Sequence, residues 1–243
     1  MSFPQSIMGK YGWEKVTTSA QKHKLGTRMQ IFDREFVYVQ AGEAITAGVL
    51  VDGMAGTAAH QVDLAVTAAS AGATTVTLSG SLTITLNQYK DGWLIFNDVE
   101  EEGHMYRIKS NTAVSSATGC VITLDEEDGL ATAITTSQQV GIYENPHKEV
   151  EIHDYNDIDN APLGWACVDI ADTYYGWLCD KGFTTALIDG TPGIGTQLVV
   201  SQGVDGAIEV LDSDADDEGT VVAVMGPIAG VSGEYGLVKA NIG

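Results

Sequence analysis

Nowhere does this sequence hold the roughly 20 consecutive apolar residues that a bilayer-spanning helix needs. The opening Met1-Ser2-Phe3-Pro4-Gln5-Ser6 lacks the charged-then-apolar plan of a secretory leader, so synthesis and folding in a cytoplasm are expected. Paired cysteines are missing too. Cys120, Cys167 and Cys179 are odd in number and widely spaced, with no C-x-x-C, and each is expected as a small buried hydrophobe. Basic side chains are scarce: 12 against 33 acidic ones, for a net charge of −21. A body of that sign repels phosphates, which argues against a nucleic-acid partner.

Chemistry-bearing motifs are equally thin. There is no G-x-S-x-G elbow and no H-E-x-x-H. The loop Gly190-Thr191-Pro192-Gly193-Ile194-Gly195 is rich in glycine, but Pro192 and the following Gln197-Leu198-Val199-Val200 make it a turn before a strand, not a phosphate cradle. The acid run Asp212–Gly219 fails as a calcium loop, because the positions that need Gly and Glu hold Asp217 and Ala223. His147, His153, Asp154, Asp157 and Asp159 follow no recognised ligand spacing. His104 beside Glu100, Glu101 and Glu102 sits on a wet hairpin tip, a poor place for acid–base work. No enzyme, no metal and no cofactor are expected.

What the chain does contain is strand material. Its 243 residues suffice to bury roughly 70–75% of the unfolded surface. Gly is frequent (28), and Thr, Val and Ala recur in short runs between turns. Phe36-Val37-Tyr38-Val39 and Gly48–Val51 read as strands. Thr74–Leu78 and Leu82–Leu86 alternate with period two about a Ser79-Gly80-Ser81 turn. Trp93–Phe96 and Met105–Lys109 flank the charged tip, and Cys120–Leu124 and Val140–Tyr143 follow. After the break at Asn145-Pro146-His147 come Trp165–Ile170, Tyr174–Leu178, Thr185–Ile188, Leu198–Val200, Ala207–Leu211, Val221–Met225 and Tyr235–Val238. This spacing predicts an all-β chain of two small β-barrel or β-sandwich units, over 35–145 (with a hairpin insertion) and 146–243, with little helix.

Charge is divided unevenly. Residues 1–34 hold six basic and two acidic side chains, net +4; the other 209 hold six basic and 31 acidic, net −25. Such asymmetry marks a segment with its own partner. The expectation is an extended basic arm that orders on another protein, anchored by Phe3, Tyr11, Trp13 and Leu25 and charged by Lys10, Lys15, Lys22, Lys24, Arg28 and Arg34. Ser19–Met29 is compatible with a short helix. Removing residues 1–34 is expected to leave a folded body. Trp165, Tyr174, Tyr175 and Trp177 form an aromatic group suited to a subunit interface.

Several stretches together resemble the head decoration, or cement, proteins of tailed bacteriophages. They are Tyr38-Val39-Gln40-Ala41-Gly42, Tyr89-Lys90-Asp91-Gly92-Trp93-Leu94, Gly103-His104-Met105-Tyr106-Arg107-Ile108-Lys109, Tyr174-Tyr175-Gly176-Trp177-Leu178 and Gly233-Glu234-Tyr235-Gly236-Leu237-Val238. The resemblance spans most of residues 35–243 as an ordering of strands and turns, in a β-tulip-like style. It implies a β-rich body on the outer face of a virus capsid, often trimeric, locking neighbouring capsomers, and carries no catalytic residues. The expected partners are the major capsid protein and further copies of the chain, with neither nucleic acid nor membrane. The alternatives are a head-fibre, tail or receptor-binding module of the same kind of particle, or an enzyme whose site is unrecognised.

Overall fold

The structure is a computed structural model, and it describes residues 6–156, 161–211 and 220–242. The chain is nearly all β, and among the described residues three short 3-10 turns are the helical content. It divides into two compact units. Unit 1 is discontinuous, residues 1–55 with 147–243, and unit 2 is residues 56–146.

Unit 1 starts with strands β1 (Ser6–Met8), β2 (Arg28–Ile31), β3 (Arg34–Gln40) and β4 (Leu50–Asp52). Unit 2 follows with β5 (Leu64–Ala65), β6 (Thr75–Leu78), β7 (Leu82–Ile84), β8 (Trp93–Phe96), β9 (Met105–Asn111), β10 (Val114–Ala117), β11 (Cys120–Leu124) and β12 (Gln139–Tyr143). The chain then returns to unit 1 through β13 (Glu151–Ile152), β14 (Pro162–Ala166), β15 (Tyr175–Ile188), β16 (Gln197–Val200), β17 (Ala207–Val210), β18 (Ala223–Met225) and β19 (Tyr235–Asn241).

The expected division at 34 and 145 therefore gives way to an insertion. The reason is strand pairing between distant segments. β4 hydrogen-bonds with β13 and β14, and β3 with β15, so residues 34–52 belong with the C-terminal half. Nor are residues 6–34 an extended arm. β1 runs parallel to β2, β2 pairs antiparallel with β3, and no helix occupies Ser19–Met29.

Period-two alternation explains why that segment folds back. β3 is buried on both faces. Val37 and Val39 point into a core with Val49, Val51, Val150 and Leu178. Phe36 and Tyr38 point the other way, into a second core with Leu25, Met29, Ile31 and Trp177. Without residues 6–34 the Phe36 face would meet water. Each fully buried side chain of this size contributes roughly 1.5–3 kcal/mol. Deleting residues 1–34 is accordingly expected to unfold or aggregate unit 1, contrary to the reading of that segment as dispensable.

β15 joins the two halves of unit 1. Its first half pairs with β3 and β14. Its second half pairs with β19 and, in parallel, with β17. The links β17–β16, β16–β18 and β18–β19 close a five-stranded barrel around Ile188, Leu198, Ile208, Ala223 and Val238. The handover falls at Gly182, whose φ is +93° and where a Cβ would lie 2.5 Å from the Asp33 carbonyl oxygen. Only glycine takes that conformation in that space.

In unit 2 the order β5-β12-β8-β9-β11-β6 forms a curled sheet whose ends meet at a Val66–Leu78 bridge. Tyr89, Leu94, Phe96, Ile108, Ile122 and Ile142 fill it. The expected β6–β7 hairpin does not form: β6 pairs with β11 and β7 with β10.

Each unit carries a buried carboxylate beside a histidine. In unit 2 the wholly buried Glu101 accepts hydrogen bonds from Tyr106 Oη (2.8 Å) and Thr132 Oγ1 (2.7 Å), and His104 Nδ1 lies 2.6 Å away. Burial alone would raise its pKa, but the hydrogen bonds from Thr132, Tyr106 and His104 outweigh burial and hold it below 4.5. In unit 1 His153 Nδ1 lies 2.6 Å from Asp52 Oδ2, both side chains buried. Burial lowers the His153 pKa, but Asp52, backed by Asp154 and Asp205, raises it above 6.5 overall.

Two predictions follow from these features. Gly182→Ala should lower the stability of unit 1 by at least about 2 kcal/mol in chemical denaturation, since it combines a left-handed conformation with a backbone clash. The pH responses of the units should be opposite. A depressed carboxyl pKa stabilises above its unfolded value and is lost as pH falls through the folded one; a raised His pKa stabilises fully below its unfolded value and is lost as pH rises through the folded one. Hydrogen exchange should show unit 1 weakening as pH rises above about 6.5, with Asp52→Asn flattening the slope, and unit 2 weakening as pH falls below about 4.5, with Glu101→Gln flattening that one.

Candidate interaction surface

After β1 the chain passes Gly9, where a Cβ would lie 2.6 Å from the Met29 sulfur, so the backbone lies directly on the core. Gly12, at φ +95°, turns it into the 3-10 turn Trp13–Lys15, and the Glu14 carboxylate accepts the Gly12 N–H at 2.7 Å. Thr18 exchanges backbone hydrogen bonds with Tyr175, Lys22 N–H donates to Tyr38 Oη at 3.0 Å, and Gly26 N–H to the Tyr38 carbonyl at 2.9 Å. His23 packs against the Tyr38 and Trp177 rings, and burial lowers its pKa. The segment is thus fixed along its length.

With Leu25, Met29 and Ile31 turned inward, the exposed residues include several aromatic and basic ones alongside Ser19, Gln30 and Asp33. Tyr11 is 68% exposed and Phe32 70%, and their rings stack with centroids 4.8 Å apart. Met8, Val16 and Trp13 are exposed beside them, and Lys10 Nζ lies 6.0 Å from the Trp13 ring centre. A groove of about 310 Å³ runs between Trp13, Val16, His23 and Trp177. Lys15, Lys22 and Lys24 are also exposed.

Phe32 occupies the two-residue turn between β2 and β3 at φ +55°. A bulky side chain is a true outlier there. Such strain concentrates where a chain has a task beyond folding. An aromatic ring held in a strained turn and stacked in water contributes little to the fold and much to a contact.

The remaining expected site residues fall as follows. Phe3 lies outside the described residues. Leu25 is core. Arg28 forms an ion pair with Asp180, whose burial raises its pKa, and lies 3.7 Å from Glu35. Arg34 lies over the Phe36 ring and reaches Cys167. The expected subunit-interface group is largely consumed inside unit 1. Trp165 is 0% exposed, in the barrel core, and Trp177 and Tyr175 pack against Tyr38; only Tyr174 keeps substantial exposure. These aromatics alternate with small residues in strands, and alternation does not say whether an inward face meets its own core or a partner.

The exposure of Met8 and above all of Phe32 was not evident from the sequence. The one available signal is Phe32-Asp33 standing alone between the alternating runs of β2 and β3. Among the described residues no three His, Cys, Asp or Glu side chains converge as a metal would require. His153 is held by Asp52, and Asp157, Asp159 and the run Asp212–Gly219 lie outside the described residues. No helix of the described residues is long and apolar enough to cross a membrane.

No protein-family model, no curated protein and no solved structure matches the chain. The surface itself therefore carries the functional argument.

Phe32→Gly provides a direct check. Relief of the left-handed strain, about 1–2 kcal/mol, should offset the lost stacking, about 0.5–1.5 kcal/mol, leaving stability within about 1 kcal/mol of the parent by denaturant titration. Phe36→Ala, a few residues away but in the core, should cost about 3–5 kcal/mol.

Proposed function

We propose that the chain is a structural protein of a virus particle, which docks through this N-terminal face on the outer surface of an assembled capsid and cements capsomer contacts. The observation that carries the reading is the exposed Tyr11–Phe32 stack, one ring in a strained turn, on an N-terminal segment whose Lys10, Lys15, Lys22 and Lys24 are exposed while the chain as a whole carries −21. A partner presenting apolar pockets among acidic groups complements that face.

The physical role follows from linkage. A protein that binds the assembled shell and not the separated capsomers stabilises the assembled form by mass action. The contact face is already ordered, so docking forfeits little conformational entropy. The proposed partners are the major capsid protein and other copies of this chain, the latter in a closed oligomer such as a trimer. That oligomer must use side chains other than Trp165 and Trp177, which unit 1 has buried.

The test is co-sedimentation with undecorated shells assembled from the co-encoded major capsid protein. The parent chain should bind. Tyr11→Ala with Phe32→Gly, each a contact worth about 2 kcal/mol or more, should bind at least about 100-fold more weakly while keeping its fold. Lys22→Glu with Lys24→Glu should bind more weakly and lose salt dependence. Undiminished binding by the aromatic pair variant would remove this face as the anchor.

A further inference from the structure

The barrel wall of unit 1 carries a second unexplained surface. Phe183 on β15 and Tyr235 and Leu237 on β19 stand on adjoining strands, each about half exposed. Tyr235 is fixed against Gly48, where a Cβ would lie 2.7 Å from the ring. Together they form the apolar side of a cavity of about 570 Å³, a volume ordinary for small-molecule sites.

The other side is charged. Glu14 and Lys15 come from the 3-10 turn, and Arg34 from the start of β3, with Cys167 beside it. Arg34 is under-used. Its guanidinium lies 4.7 Å from the Phe36 ring centre, Nη2 lies 3.3 Å from the Cys167 thiol, Cys179 and the Glu14 carboxylate also act on it, and Nε is buried without a hydrogen-bond partner. Among the described residues it makes no salt bridge. A half-buried guanidinium without an ion pair among the described residues favours an oxyanion that accepts its hydrogen bonds. Glu14 sets the charge. Its carboxylate is buried and engaged by Gly12 N–H, so Arg34, Lys15 and Glu14 together leave one net positive charge. That balance suits a monoanion, since a phosphate dianion would face the Glu14 carboxylate.

We propose that this cavity binds a small carboxylate carried on an apolar or aromatic body, the carboxylate paired with Arg34 and the body laid against Phe183, Tyr235 and Leu237. Burial raises the Cys167 thiol pKa, which leaves it a lining group and not a nucleophile. The carboxylate has two possible sources, a free aromatic acid or the C-terminus of a peptide, and both present the same group to Arg34.

Isothermal titration of the full chain with 3-phenylpropionate, with its neutral amide, with inorganic phosphate, and with a dipeptide ending in Phe as free acid or amide tests the assignment. At least one acid should bind, with its amide and inorganic phosphate at least about tenfold weaker. Which acid binds more tightly identifies the source. Arg34→Gln should abolish the preference of acid over amide, Arg34→Lys should restore part of it, and Phe183→Ala should weaken acid and amide alike. Near-UV circular dichroism confirms that each variant is folded. No binding by either acid, or equal binding of an acid and its amide, overturns the assignment. None of these variants touches Tyr11 or Phe32, so a failure here is separable from a failure of shell docking.

Discussion

Unit 1 depends on one strand that serves two structures. β15 runs 14 residues from Tyr175 to Ile188, belonging first to the sheet around β3 and then to the closed barrel. A strand that long must bend and change partners without losing its ladder, and the left-handed glycine at 182 lets it do so. The same site brings Asp33 and Arg34 against the strand. The turn that displays Phe32 and the guanidinium at the floor of the cavity are therefore both located by how closely the backbone approaches Gly182.

The N-terminal segment shows how a contact surface can follow from a packing requirement. Phe36, Tyr38 and Trp177 need a cover, and Leu25, Met29 and Ile31 supply it. In a segment with period-two alternation, sending those residues inward turns Arg28 and Gln30 outward, while the flanking turns leave Tyr11 and Phe32 in water. The rigidity of this exposed face derives from the hydrogen bonds of Tyr38 and Tyr175, which satisfy backbone groups the fold must satisfy in any case.

Much of the strand content was readable from the sequence, and the pairing was not. Alternation in Phe36–Val39, Thr75–Leu78, Trp93–Phe96 and Cys120–Leu124 marks strands because one face is buried. The β8–β9 hairpin was readable because its partners are neighbours in sequence. The partnerships β4 with β13 and β14, and β3 with β15, span more than 90 residues, and no local pattern encodes them. The same limit governs the site residues. Tyr11 and Trp13 stand out as aromatics among charges and are indeed exposed, whereas Leu25 and Trp177 look equally available until the face they cover is known. Phe32 was hidden for the opposite reason: its significance lies in a backbone angle, which composition does not report.

The discontinuity of unit 1 has a consequence for biosynthesis. β3 and β4 leave the ribosome early, but their partners on β13, β14 and β15 appear only after the whole of residues 56–146 has been made. At ordinary translation speed that interval is roughly 10 s. Unit 2 has all its strand partners within its own contiguous stretch and can finish folding in that time, while the β3 hairpin waits with an unpaired, strongly apolar edge.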